Sequence, residues 1–187
     1  MSTRGTIGFR KDNIDKITYN HYNSYPTCLG VSVVRFIKST PLNEIRDIAD
    51  RIILVQDDKT PTPTQIKKCM KYFDAKVGSG NKDDWYCLLR DVQGDLSAYK
   101  NIPYMIDSHD FMSDSLFCEW AYIINLDTEM LEIYKGLNKS ANGNGRYADF
   151  KDKDSEYYGV DLLTELPLKD VFEMEDVNGH MYDLEKT

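Results

Sequence analysis

Phe-Cys-Glu-Trp-Ala-Tyr-Ile-Ile-Asn-Leu-Asp-Thr-Glu-Met-Leu-Glu-Ile-Tyr-Lys-Gly-Leu, residues 117–137, carries the strongest hairpin signal in the chain. A strand-like run over 117–126 and a returning run over 130–137 flank the turn Asp127-Thr128-Glu129. Period-two alternation sets Tyr122, Ile124 and Leu126 on one face, where the partner strand offers Leu131, Ile133 and Leu137. The N-terminus repeats the pattern. Thr6, Ile7 and Phe9 favour a strand over 3–9, Lys11-Asp12-Asn13 is a turn, and 14–20 returns. Gly5 and Gly8 in the first run allow another backbone to come close.

Between the hairpins the apolar period changes to that of helices. One helix starts at Gly30 and ends before Pro41. A second, with Pro41 at its start and Thr40 available as its cap, has the stripe Leu42, Ile45, Ile48, Ala49, Ile52 and Ile53. Thr64 is placed to cap a third, whose apolar side is Ile66, Cys69, Met70 and Phe73. Asp83 or Asp84 caps a fourth, in which Trp85, Leu88, Leu89, Val92, Leu96 and Tyr99 form one stripe that Gly94 weakens. Residues 101–117 read mostly as loop. So do 139–147, with Gly143 and Gly145, read as a flexible one. A last strand is predicted over 157–166 and a short helical piece over 168–172. The acidic residues from 173 to 187 read as a solvated, partly flexible tail. Together these predict one α+β domain over 1–187. Its antiparallel sheet is built from N-terminal and C-terminal hairpins, with helices packed on one face.

A chain of 187 residues with 41% hydrophobic and 12% aromatic side chains can bury a sizeable core. Its net charge of −8 argues against general nucleic-acid binding, which needs a basic face. Apolar runs fall short of the roughly 20 residues of a membrane helix, and the first residues lack a signal-peptide core. The four cysteines, Cys28, Cys69, Cys87 and Cys118, are dispersed, as are His21, His109 and His180, so free thiols, no metal site and no cofactor are expected. A cytoplasmic protein, with a homo-oligomer or a protein partner left open, fits this composition.

The candidate site lies in 16–30, Lys-Ile-Thr-Tyr-Asn-His-Tyr-Asn-Ser-Tyr-Pro-Thr-Cys-Leu-Gly. A strand that hands over to polar side chains mounts hydrogen-bonding groups on a rigid frame. The first hairpin brings Arg4 opposite residue 20, and the second hairpin, as its neighbour, contributes Glu119 or Trp120. Arg4 offers a fork of donors suited to carboxylate or phosphate. Asn20, His21, Asn23 and Ser24 offer neutral partners, and Tyr19, Tyr22, Tyr25 and Trp120 offer rings. The ligand-binding set is therefore Arg4, Tyr19, Asn20, His21, Ser24, Tyr25, Glu119 and Trp120, expected to converge on one pocket for a small anionic or nucleotide-like molecule. Two other classes stand beside it. An N-terminal-nucleophile amidohydrolase would use Ser2, whose own amine would serve as base. Cys28 with His21, or Asp114 with Glu119, are weaker catalytic pairings. A structural or virion module would use the thirteen tyrosines at a protein interface.

The segments 3–9, 16–30 and 119–128 resemble a family of proteins found in bacteriophages and bacterial mobile regions. The motifs are Thr-Arg-Gly-x-Ile-Gly-Phe, Lys-x-Thr-Tyr-Asn-His-x-x-Ser-Tyr-Pro-x-x-Leu-Gly and Glu-Trp-Ala-Tyr-x-Ile-x-Leu-Asp-Thr. The family pattern has an aspartate before Ser-Tyr-Pro where this chain has Asn23. The resemblance implies a site and a phage or mobile-element origin, and assigns no chemistry. For such a protein, holding a host signalling nucleotide out of circulation is an economical role.

Overall fold

A computed structural model describes residues 3–151 and 155–187. Both hairpins form. β1 (Gly5–Lys11) pairs antiparallel with β2 (Ile14–Asn20), with Gly5 opposite Asn20 and Gly8 opposite Ile17. Asp12 and Asn13 join them with φ of 53° and 60°. Asp and Asn tolerate the left-handed region, and two such residues in succession match the twist of a tight hairpin.

Two helices follow. A π-helical turn, Pro26–Gly30, leads into α1 (Val31–Ser39), and α2 (Leu42–Arg51) comes next. Pro41 takes the N-cap position of α2, and no side chain caps that helix. The Thr40 hydroxyl, foreseen as its cap, is buried without a hydrogen-bond partner among the described residues. β3 (Ile53–Val55) and α3 (Pro63–Cys69) come next. Thr62, not Thr64, caps α3. Its side chain accepts from the Gln65 amide while the Gln65 side chain accepts from the Thr62 amide, and Pro63 fits the first helical position. The long stripe from Trp85 to Tyr99 is divided into α4 (Trp85–Leu88) and the 3₁₀ turns Arg90–Val92 and Leu96–Lys100. Gly94, at φ +76°, reverses the chain between the two turns, and Asp95 caps the second. The buried face survives the division, because Trp85, Leu88, Val92, Leu96 and Tyr99 all enter the core.

Where 101–117 read as loop, β4 (Tyr104–Ile106) pairs parallel with β3, and a 3₁₀ turn covers His109–Ser113. Three-residue strands are too short for a period to register. The second hairpin is β5 (Trp120–Asn125) with β6 (Met130–Lys135), and β7 (Asp161–Pro167) pairs antiparallel to β6. α5 (Leu168–Glu173) and α6 (Val177–Glu185) close the chain.

Five strands form one sheet in the order β2-β1-β5-β6-β7 and β3 with β4 a small second one, so the fold is α+β with a mixed, largely antiparallel main sheet. Within this sheet the parallel junction is β1 against β5, where the two hairpins meet. It sets both hairpin turns at the same end. There the Asp127 carboxylate accepts the amides of Asp12 at 2.7 Å and Asn13 at 2.9 Å. The Asn13 bond is the main reason that carboxyl sits below its ordinary value.

Ile7, Phe9, Trp120, Tyr122 and Ile124 point to the helical side and join the large core. Ile17, Ala121, Ile123 and Tyr134 point the other way, into a smaller core with Met112, Tyr147 and Val160. The outer edge of β2 is occupied in part by the Ser108 amide, which donates to the Ile17 carbonyl at 2.9 Å. The acidic C-terminal segment is not merely solvated. Met181 of α6 is fully buried, and the Glu185 carboxylate accepts from the Thr27 amide and hydroxyl at the π-helical turn. No helix among the described residues is long and apolar enough to cross a membrane.

Candidate functional site

The alternation of side chains along β2 separates the eight residues that the sequence gathers at one site. Residues paired across a sheet share a face. Asn20, Gly5 and Trp120 are in register and face the helical core. There the Asn20 amide donates to the Tyr22 carbonyl at 2.6 Å and to Ser24 Oγ at 2.8 Å. Ser24 is fully buried, its amide donates to the Thr3 carbonyl, and its own carbonyl accepts from the Tyr122 hydroxyl at 3.0 Å. These groups are engaged by the fold: Asn20 and Ser24 knit the 20–24 turn to β1 and β5. Trp120 is buried under the Lys135 ammonium, 5.6 Å from its ring centre. Tyr25 is exposed, and its carbonyl starts the π-helical turn by accepting from the Cys28 and Gly30 amides. Glu119 joins the Arg4 strand end through its amide, which donates to the Arg4 carbonyl.

The opposite face keeps the remainder together. Tyr19 is in register with Thr6 and stands edge-on to Phe111, with ring centres 5.2 Å apart. Its hydroxyl and His21 Nδ1 share a 2.9 Å hydrogen bond whose direction follows the imidazole tautomer. Arg4 lies with its guanidinium carbon 5.5 Å from the Phe117 ring centre. Arg90, which the sequence reading does not single out, lies 5.6 Å from the Tyr22 ring and 5.9 Å from the Tyr86 ring, and donates to Gln93. Neither arginine forms an ion pair with a carboxylate among the described residues. Burial first, then the charges of Arg90 and Arg4, hold the His21 imidazole below its ordinary value, so it is neutral at pH 7. Burial also raises the Tyr19 hydroxyl, against the pull of Arg4.

Beside this group opens a cleft of about 420 Å³, within the usual range of small-molecule sites. Of the eight foreseen residues, Tyr19 lines it. Thr18, Tyr86, Gln93 and Phe111 add to its walls, and Asp57, Ile106, Asp107 and Ser108 complete it. Tyr86 and Arg90 are four residues apart on the polar side of the segment whose apolar stripe is Trp85, Leu88 and Val92. That offset was legible in the sequence, but its proximity to β2 was not.

A second polar cluster, also unforeseen, lies on the same side of the sheet. Arg146 Nη1 donates to Glu132 Oε2 at 2.6 Å, and its Nη2 and Nε donate to Asp15 at 2.9 and 3.2 Å. The same guanidinium donates to the Tyr134 and Tyr147 hydroxyls. Asn125 and the Tyr134 hydroxyl donate to Glu132, and Arg10 donates to Asp15 at 3.0 Å. Burial alone would raise the Asp15 carboxyl. The hydrogen bonds from Arg146 and Tyr147 and the charges of Arg146 and Arg10 reverse that, and its value is lowered. Burial and Glu132 raise Tyr134, and burial and Asp15 raise Tyr147, so both phenols stay protonated. Two arginines meet two carboxylates, and each Glu132 oxygen already accepts. The cluster ties five segments of chain together and leaves no unengaged base for catalysis.

The four cysteines are free. Among the described residues no group of three or more His, Cys, Asp or Glu is placed to hold a metal. Ser2, the nucleophile of the amidohydrolase reading, lies outside the described residues. Set against protein-family models, curated proteins and solved structures, the chain gives no significant match to any.

Proposed function

We propose that this protein is a phage or mobile-element accessory protein of the host cytoplasm that binds a small anionic or nucleotide-like ligand, and that sequestering a host signalling molecule is its use. The observation that carries the binding reading is that Arg4 and Arg90, neither in an ion pair among the described residues, stand instead against aromatic rings, in a chain of net charge −8. With that excess of acid, arginines left to aromatic rings are available for an incoming anion. Arg90 stands against the rings of Tyr22 and Tyr86, and Tyr86 also lines the cleft, so an anion held by Arg90 lies next to that cleft. The adjoining cleft presents the rings of Tyr19, Tyr86 and Phe111 to the remainder of the ligand. The phage assignment rests on the motif resemblance in 3–9, 16–30 and 119–128.

Calorimetric titration with 5′-mononucleotides and pyrophosphate, alongside mass spectrometry of co-purifying small molecules, tests this reading. A charge-assisted hydrogen bond contributes about 1.5–3 kcal/mol, so Arg90→Ala weakens binding about tenfold or more. Absence of anion binding at millimolar concentration, with Arg90→Ala lowering only the melting temperature, would make Arg90 structural and end the proposal.

A further inference from the structure

The cleft itself is lined by two carboxylates, whereas Arg90 stands beside it against Tyr86 and Gln93, and this polarity restricts what it accepts. Asp57 follows β3 and Asp107 follows β4, so both stand beyond the carboxyl ends of two parallel strands and form one wall. Tyr86 and Gln93 belong to the segment that carries Arg90. An anionic group is repelled by the first wall and drawn toward Arg90. What enters the cleft is then the uncharged end of the ligand, and it must donate hydrogen bonds, because a carboxylate only accepts. The rings of Tyr19, Tyr86 and Phe111 favour a flat heteroaromatic group, and base–ring stacking contributes about 1–3 kcal/mol per base.

The two carboxylates are not equivalent. Asp107 is committed to the fold: its Oδ1 accepts from the His109 amide and its Oδ2 from the Gln56 side chain, each at 3.2 Å. Asp57 is exposed and accepts no hydrogen bond from the described residues. Among nucleobases, guanine carries two adjacent N–H donors, N1–H and the 2-amino group, which match the two oxygens of one carboxylate. Adenine sets one donor beside an acceptor, and uracil sets one donor between two acceptors. We infer that the ligand class is a guanine nucleotide, its base in the cleft read by Asp57 and its phosphate at Arg90. This rests on the anion-binding reading above.

The test is calorimetric titration of the full chain with GMP, IMP, AMP, UMP and pyrophosphate, each repeated on Asp57→Asn and Arg90→Ala. GMP is expected to bind most tightly. IMP, which lacks the 2-amino group, falls about tenfold behind it, a gap of about 1.4 kcal/mol. Asp57→Asn removes most of the GMP preference and leaves AMP binding nearly unchanged, whereas Arg90→Ala weakens every nucleotide. Equal affinity for GMP and AMP, or a GMP preference that survives Asp57→Asn, overturns the guanine inference and leaves anion binding standing. Pyrophosphate binding without nucleotide binding has the same meaning. If no compound in the panel binds, both the inference and the reading beneath it fall.

Discussion

Replacing Arg146 by methionine is the sharpest perturbation available in this fold, because the stem keeps its packing while the charge and all five donors are lost. In the native cluster Arg10 and Arg146 face Asp15 and Glu132, two charges of each sign. Without Arg146, Arg10 still reaches Asp15, but Glu132 is left with only neutral donors, Asn125 and the Tyr134 hydroxyl. The Glu132 and Asp15 side chains are only 4% and 9% exposed, so water cannot replace the lost partner. Breaking a buried ion pair from one side costs about 3–5 kcal/mol. The Arg146 side chain is itself 25% exposed, which places the expected loss near the lower end, about 3 kcal/mol. For a chain of this size that is a fall in melting temperature of about 6–12 °C.

Urea and thermal unfolding followed by circular dichroism measure the loss directly, and a double-mutant cycle with Glu132→Gln isolates the pair. The pH dependence separates electrostatics from packing. Asp15 is held below its ordinary value in the fold, so its stabilising contribution is complete above the unfolded value, about 3.9, and is lost as pH falls through the folded one. In Arg146→Met, burial prevails at Asp15 and penalises the charged form until acid neutralises it. The gap between wild type and variant therefore narrows from pH 7 to pH 3. A loss below 1 kcal/mol, or a gap that stays constant over that range, would refute the account of this cluster.

Three further outcomes follow from named contacts. Thr40→Val is neutral or stabilising by about 1 kcal/mol in urea unfolding, because the buried hydroxyl has no partner to lose; a loss of that size would restore Thr40 as the cap of α2. Gly8→Ala destabilises by roughly 3 kcal/mol or more, since the added methyl falls on the Lys16 carbonyl across the β1–β2 ladder; a wild-type melting temperature would contradict that register. Thiol titration of the native protein modifies exposed Cys28 rapidly and the other three only on unfolding, with burial pushing Cys69 up to about 11 and Cys118 up to about 12; a second fast thiol would show the burial wrong.

Local periods revealed the strands and helices, but the long-range partners were silent in them. The Asp12-Asn13 and Asp127–Glu129 turns mark two hairpins in sequence, yet nothing in either states that β1 and β5 meet in parallel. That follows from Asp127 reaching across 115 positions to the Asp12 amide. Likewise, Glu132 between Leu131 and Ile133 reads as the solvent side of an alternating strand. It is buried only because Arg146 arrives from a loop whose glycines suggested flexibility. The residues proposed for one site are divided between two faces of the sheet for a simple reason. A contiguous motif such as Tyr19-Asn20-His21 looks like one constellation in sequence, while a strand must send its neighbours to opposite faces. Asn20 and Ser24, read in the sequence as ligand-binding groups, have hydrogen-bond partners in each other and in the backbone. Tyr19, His21 and Arg4 stayed on the other side and were joined there by Arg90 from a segment some seventy residues away, where its charge acts on the same imidazole as Arg4. A site built on a strand is therefore legible as alternate letters, and its remaining members must be sought in whatever the fold lays against that face.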